Sequence, residues 1–300
     1  MRIMVVGGTG LLGYHVVEQA RARGHEVAVV ARTHRPGVDH AIEGTDVTSE
    51  LLKGYDGVVF AGGVYDRTAS GSMETRLRNG YVDPAVAVMR AAREAGCSRA
   101  AMLGSYYAYF ERVRPEWKLS ARHPYVRARL EQASLAREAV GPDLPLAIVE
   151  IPYVVGVAPG RVPNWSTPYV KWVRSPVPLV VPTGGTAVTS ARAVAETTVT
   201  ALEDGSNANI PVAEENLTWK DMVSRMAAAA GKPRKVREIP APVLRKLAQF
   251  SGALMRLTRR PPEMIDIGHM DDLYMHEMYL EPKTPRSLDA EIAETVSAGS

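Results

Sequence analysis

The chain of 300 residues holds a single cysteine, Cys97, so no disulfide can close within it and a reducing, cytoplasmic setting is the expectation. No charge of one sign dominates. Lys and Arg number 36 against 33 Asp and Glu, for a formal net charge of +3, and the two signs are interspersed. That balance excludes the basic stripe of a nucleic-acid-binding surface. No apolar run approaches the ~20 residues that a membrane span requires, and Ile3–Val6 is too short for a signal-peptide core. The basic stretch Leu244–Arg260 reads as a surface helix with one apolar face rather than a membrane-surface segment. There is no internal repeat and no low-complexity tract.

What is present is an alternation of short apolar runs with helical patterns over the first 150 residues, the mark of βαβ units. Strands are predicted at Ile3–Val6, Glu26–Ala31, Gly57–Ala61, Ala100–Gly104 and Leu146–Glu150, with helices at Leu11–Arg23, Pro84–Ala95 and Tyr125–Val140. The strands are apolar at nearly every position, as expected when helices cover both faces of a sheet. Gly24 and Gly96 follow helices and read as left-handed caps. Because such crossovers are right-handed, the pattern implies an α/β fold with a doubly wound parallel Rossmann sheet. After Pro152 the periodicity fades. Residues 152–186 read as loops and short strands, Ser190–Leu202 as a helix returning to the main sheet, and Thr218–Ala230 as a helix opened by a Thr-x-x-Asp box. The expected organisation is a dinucleotide-binding domain over 1–151, completed by about 186–212, and a smaller substrate-covering region within 152–300.

The chemistry begins at Val5–Gly13, V-V-G-G-T-G-L-L-G. Gly7, Gly10 and Gly13 follow a predicted strand and open a helix, the context in which a glycine triplet has meaning. Gly7 permits a tight turn, Gly10 a close approach to a pyrophosphate, and Gly13 close helix–strand packing, with Thr9, Leu11 and Leu12 completing the loop. The helix N-terminus supplies free N–H groups and a positive dipole. A carboxylate at the end of the second strand would select NAD. The sequence has Ala31-Arg32-Thr33-His34-Arg35 there, so Arg32 and Arg35 are available for the 2′-phosphate of NADP, which becomes the expected cofactor over NAD. Asp46 and Val47 suit the adenine edge. No metal is expected.

By these residues the chain resembles the extended short-chain dehydrogenase/reductases, the group of NAD-dependent epimerase/dehydratases and dihydroflavonol-reductase-like enzymes. The resemblance is carried by Gly7–Gly13, Phe60-Ala61-Gly62-Gly63, Ser105-x-x-x-Tyr109, Tyr125-x-x-x-Arg129, Pro152-x-x-x-Gly156 and Pro285-Arg286-Ser287-Leu288. It implies a Rossmann domain with a small C-terminal substrate domain. It also implies that Ser105 binds the substrate oxygen, that Tyr125 is the general acid/base, and that Arg129 stands where the family has lysine. The lysine's task is to hold the nicotinamide ribose and place a positive charge beside the tyrosine. Arginine keeps the charge, and on the resemblance alone Arg129→Lys retains activity or raises it. Ala61, Gly62 and Gly63 would border the cofactor, with Pro152, Tyr153 and Val154 as the wall beside the nicotinamide. Tyr81 occupies a position where relatives commonly carry asparagine.

The arginine and asparagine typical of nucleotide-sugar members are missing around Glu150–Tyr153. Trp117, Trp165, Tyr169 and Trp172 are expected either to line the pocket, which would suit an apolar or aromatic substrate, or to pack in a core. Three readings follow: an NADP(H)-dependent oxidoreductase acting on a small carbonyl or alcohol, a sugar-nucleotide epimerase or dehydratase, and a non-catalytic NADP-binding sensor. The expected partner is a small-molecule substrate, with a homodimer as the expected assembly.

Overall fold

The structure is a computed structural model that describes residues 1–63, 71–240, 242–246, 249–250 and 264–299. Most of Leu244–Arg260 lies outside them. Strands β1 to β6 are Arg2–Val6, Glu26–Ala31, His40–Ala41, Gly57–Phe60, Arg99–Leu103 and Leu146–Glu150. They are followed by β7 Tyr153–Val155, β8 Leu179–Pro182, β9 Gly185–Ser190, β10 Asn209–Pro211, β11 Glu215–Thr218, β12 Val236–Ile239 and β13 Glu277–Met278. Helices α1 to α5 are Leu11–Ala22, Ser49–Leu52, Met73–Leu77, Asp83–Glu94 and Tyr106–Val113. Helices α6 to α10 are Leu119–Arg122, Pro124–Val140, Ser166–Arg174, Ala191–Glu203 and Trp219–Ala229, and a C-terminal helix spans Asp289–Ala298.

Seven strands form one parallel sheet in the order β10-β6-β5-β4-β1-β2-β3. Successive side chains on a strand point to opposite faces. In β1, Met4 and Val6 join the core shared with Val88, Met89 and Ala136 of α4 and α7, whereas Ile3 and Val5 join Val16, Val17 and Val199 of α1 and α9. With both faces buried, every position must be apolar, which is why the strands read as continuous hydrophobic runs. The order reverses between β1 and β4, the kind of switch point at whose carboxyl ends doubly wound sheets bind their ligands. Gly24 and Gly96 adopt φ of +81° and +77° after α1 and α4.

The second lobe is built on β11-β9-β13, with β7 pairing β9 and a separate β8–β12 pair. Its core gathers Val155, Val170, Val173, Leu217, Met222, Met226 and Ile292. The span expected as loops and short strands contains α8, whose Val170 and Val173 are buried one turn apart. Helix α9 packs on the main sheet through Val199 and Leu202, while the strand that follows it, β10, extends that sheet. Helix α10 begins at Thr218, whose hydroxyl accepts from the Asp221 N–H at 3.0 Å, as the capping pattern predicts. Among the described residues no helix is long and apolar enough to cross a membrane.

Candidate active site

The glycine loop closes the end of β1 against the sheet. Gly7 has φ of +88°, and a Cβ there would stand 2.8 Å from the Ala61 carbonyl carbon and the Gly62 nitrogen. At Gly13 a Cβ would stand 2.1 Å from the Gly7 oxygen, so only glycine lets α1 start this close to the strand. Gly8, which the triplet does not single out, is also crowded, though by side chains rather than backbone: a Cβ there would stand 2.8 Å from Val29 Cγ1. Gly10 is different: its added Cβ would meet only the Gly7 oxygen, at 3.2 Å. The loop is thus shut on its sheet side and open over Gly10. Gly10 is also the N-cap of α1 and brings no side chain to its free N–H groups, a cradle that fits a pyrophosphate.

At the end of β2, Arg32 and Arg35 are exposed, and their side chains have no hydrogen-bond or ion-pair partner among the described residues. The nearby carboxylate of Asp39 accepts from the Val29 N–H at 2.7 Å, so it is committed to the strand. Asp46 is exposed at the end of a 3-10 turn, Gly44–Asp46. Val47 is 4% exposed and its side chain packs in the core with Val30 and Phe60, so only its backbone faces outward chemistry. Leu11, Leu12, Ala61 and Val154 pack in one cluster with Leu103, which joins the glycine loop to the ends of β4, β5 and β7. Pro152 is buried, and the Tyr153 ring turns into the second lobe against Trp165 and Trp219, at centroid distances of 5.5 and 5.2 Å.

Ser105 caps α5. Its hydroxyl oxygen accepts from the Tyr107 N–H at 3.4 Å, which leaves its own O–H to donate. Tyr125 and Arg129 lie one turn apart on α7, as i,i+4 spacing requires. Arg129 is 6% exposed and donates through Nη2 to the Leu103 carbonyl at 2.9 Å. Its guanidinium carbon stands 4.9 Å from the Tyr81 ring centre and 5.9 Å from that of Tyr125. Tyr81 meets Tyr125 edge to face at 5.6 Å, and Tyr107 meets it at 6.1 Å. The Tyr81 ring lies directly over Gly63, where a Cβ would stand 2.9 Å from Tyr81 Cδ1 and 3.7 Å from Arg129 Nη1. Arg129 thus links Tyr125, the Gly63 turn and the end of β5 at Leu103, two residues before Ser105.

Tyr81, which the resemblance marks only as standing where relatives commonly carry asparagine, packs against both Tyr125 and Arg129. It lies in a π-helical turn, Arg78–Val82, and its carbonyl accepts from Gln132 Nε2 at 2.9 Å. Such one-turn bulges have no periodic signature. His123, fully buried, precedes α7. Its Nδ1 accepts from the Asp266 N–H at 3.2 Å, and the Tyr125 N–H donates to the Met264 carbonyl at 3.0 Å. Segment 264–274 therefore braces the start of the helix that carries Tyr125. Burial pushes the phenols of Tyr106, Tyr107 and Tyr153 up from their ordinary value, which keeps them protonated.

The tryptophans do not meet at this site. Trp165, Tyr169 and Trp172 pack against the core of the second lobe, and Trp117 stacks between Phe110 and His276. Their indoles follow the core-packing alternative because Trp165 Nε1 and Trp172 Nε1 find carbonyl partners there, on Val154 and Pro178.

A family model described as NAD(P)H-binding matches residues 7–205, about two thirds of the chain. No curated protein matches the sequence. Among solved structures, the chain is similar to gox2253, at 17% identity over 99% of this chain and 97% of that one, with a TM-score of 0.78. A UDP-glucose-4-epimerase from Stenotrophomonas maltophila, with bound NAD and formylated UDP-arabinopyranose, matches at 15% identity over 100% and 98%, with a TM-score of 0.67. The human epimerase family protein SDR39U1 (isoform 2), with NADPH, matches at 15% identity over 99% of both chains, also with a TM-score of 0.67. At these identities the likeness shows the fold alone, a Rossmann sheet with a second lobe.

Proposed function

The chain belongs to the NAD(P)H-binding family, and from that premise we propose that it is an NADP(H)-dependent oxidoreductase interconverting a carbonyl and an alcohol in a small apolar or aromatic metabolite. The observation that carries this reading is Arg129, set beside both the Tyr125 ring and the Gly63 turn at the carboxyl ends of the strands, where Ser105 caps α5 and the glycine cradle is open. Gly7–Gly13 would hold the pyrophosphate, Arg32 and Arg35 the 2′-phosphate, and Val154 the nicotinamide wall. When bound, the cofactor supplies or accepts the hydride.

The chain's own residues handle the proton and the substrate oxygen. Ser105 donates its O–H to that oxygen and orients it. Tyr125 gives its phenolic proton to the oxygen in reduction and takes it back in oxidation. Arg129, buried and always charged, stabilises the negative charge left on the phenolic oxygen, and the bond to Leu103 fixes its position. Tyr81, Tyr107 and Tyr125 make the mouth of the site aromatic. This favours an apolar or aromatic substrate by a different set of rings from the tryptophans.

The test is turnover. NADPH consumption is followed against a panel of aromatic and aliphatic aldehydes and ketones, with Tyr125→Phe alongside and UDP-sugars in a parallel thermal-shift screen. The reading expects turnover of at least one carbonyl by the wild type and none by Tyr125→Phe. Stabilisation by UDP-sugars with no carbonyl turned over would overturn it.

A further inference from the structure

The second lobe sends one turn back over the glycine loop. Residues Ala158 and Arg161 exchange backbone hydrogen bonds of 3.1 and 2.8 Å, and Gly160 closes the turn at φ of +67°. The turn is fastened on two sides. His15, on the first turn of α1, donates from Nε2 to the Val157 carbonyl at 2.8 Å, and the Gly156 N–H donates to Thr295 Oγ1 on the C-terminal helix at 2.8 Å. Held in this way, Arg161 directs its guanidinium onto the loop, where Nε donates to the Thr9 carbonyl at 3.4 Å. It is the one side chain that hydrogen-bonds Gly7–Gly13 among the described residues. It has no carboxylate partner among them, and its two terminal nitrogens carry no hydrogen bond there.

Arg161 is exposed, so its terminal nitrogens face solvent beside the loop, where an anion bound on the loop can take them. The loop beneath it offers a pyrophosphate cradle in which a helix N-terminus supplies only about half a positive charge, against two negative charges on the ligand. We propose that Arg161 is a cofactor-binding residue that closes over the glycine loop from the second lobe and grips the pyrophosphate between its free Nη groups and the N-terminus of α1. The inference rests on the reading of Gly7–Gly13 as the cofactor site. It adds a consequence: because residues 156–161 are tied to α1 and to the C-terminal helix, pyrophosphate binding couples the two lobes.

Ligand fragments separate this role from the rest of the site. Calorimetric titrations compare NADP+, 2′-phospho-ADP-ribose and adenosine 2′-monophosphate, the last lacking the pyrophosphate, on wild type, Arg161→Gln, Arg161→Lys and Arg32→Ala. Arg161→Gln is expected to weaken NADP+ and 2′-phospho-ADP-ribose about tenfold, the loss of one exposed charge-assisted contact, and to leave adenosine 2′-monophosphate unchanged. Arg161→Lys recovers part of the loss, because it restores the charge without the fork. Arg32→Ala weakens all three. Amides of 156–161 gain protection from hydrogen exchange with NADP+ in the wild type and not in Arg161→Gln. Wild-type affinity for NADP+ in Arg161→Gln, or an equal loss for adenosine 2′-monophosphate, would overturn the inference while leaving the cofactor reading in place. Failure of the wild type to bind any dinucleotide would overturn that reading, and the inference with it.

Discussion

Replacing Arg129 by lysine separates what the resemblance implies from what the packing requires. Lysine is the family's usual residue there, so the resemblance makes the substitution neutral or beneficial. The packing around Arg129 argues for the opposite outcome. Arg129 spans from α7 to the Leu103 carbonyl, and its planar fork lies over the Tyr81 ring, with its guanidinium carbon 4.9 Å from the ring centre. A charge-assisted hydrogen bond to a carbonyl contributes about 1.5–3 kcal/mol. A desolvated cation–π contact adds about 1–2 kcal/mol. Lysine keeps the charge and part of the contact to Leu103 but cannot lie flat on the ring, so roughly half of the sum is lost, about 2 kcal/mol. Urea unfolding of the apo protein should show a lower midpoint for Arg129→Lys at unchanged slope, with Arg129→Met lower still. Turnover of any carbonyl found for the wild type should fall with it. A lysine variant within about 0.5 kcal/mol of wild type, and fully active, would refute the claim that the Tyr81 stack and the Leu103 bond hold this residue.

Further outcomes follow from single contacts. Burial pushes His123 down from 6.5 to about 4, opposed by the facing carboxylates of Asp272 and Asp266 and reinforced by His269 and Arg122. The unfolded chain therefore takes up the proton first: its contribution is complete above pH 6.5 and is lost as pH falls toward 4, about 2 kcal/mol by pH 5. Urea unfolding at pH 7.5 and 5 should show this slope, and His123→Gln should flatten it; an unchanged slope would count against it. Glu150 is fully buried and takes a bidentate bond from Arg112 at 2.6 and 2.8 Å, so Arg112→Ala, which strands the carboxylate, should cost about 3–5 kcal/mol by the same assay. Gly13→Ala places a Cβ against the Gly7 backbone, so α1 must shift. It should lower the melting temperature and abolish NADP+ binding together, and an alanine variant that binds normally would contradict the cradle.

The parallel sheet was legible because its strands obey one rule, apolar on both faces, and its glycines fall where the chain must turn. Glu26–Ala31 and Leu146–Glu150 are found with the bounds the pattern gives, and Leu11–Arg23 differs from the observed α1 by one residue at its end. The second lobe was not legible. Its sheet joins residues near 153, 185, 215 and 277 in strands as short as two residues, with pairing set by contacts far apart in sequence. The amphipathic α8 was hidden among prolines and aromatics, and the fate of its tryptophans turned on carbonyl partners that no periodicity reveals. At the site, Ser105, Tyr125 and Arg129 are named only by the family resemblance that their motifs carry. The roles of Tyr81 and Arg161 depend on a π-helical turn and a turn from the other lobe, neither of which has a linear signature.

The central claim is that Gly7–Gly13 and Arg32 form an NADP site, and the most direct measurement is a calorimetric titration of the apo protein with NADP+ and with NAD+, repeated on Arg32→Ala. Among the described residues the Arg32 side chain is exposed and has no carboxylate partner, and Asp39 is bonded to the Val29 N–H. One charge-assisted contact to a 2′-phosphate corresponds to roughly a ten- to hundredfold preference for NADP+. The account predicts that preference in the wild type and its collapse in Arg32→Ala with NAD+ affinity unchanged. Equal affinities in the wild type, or tighter binding of NAD+, would contradict it.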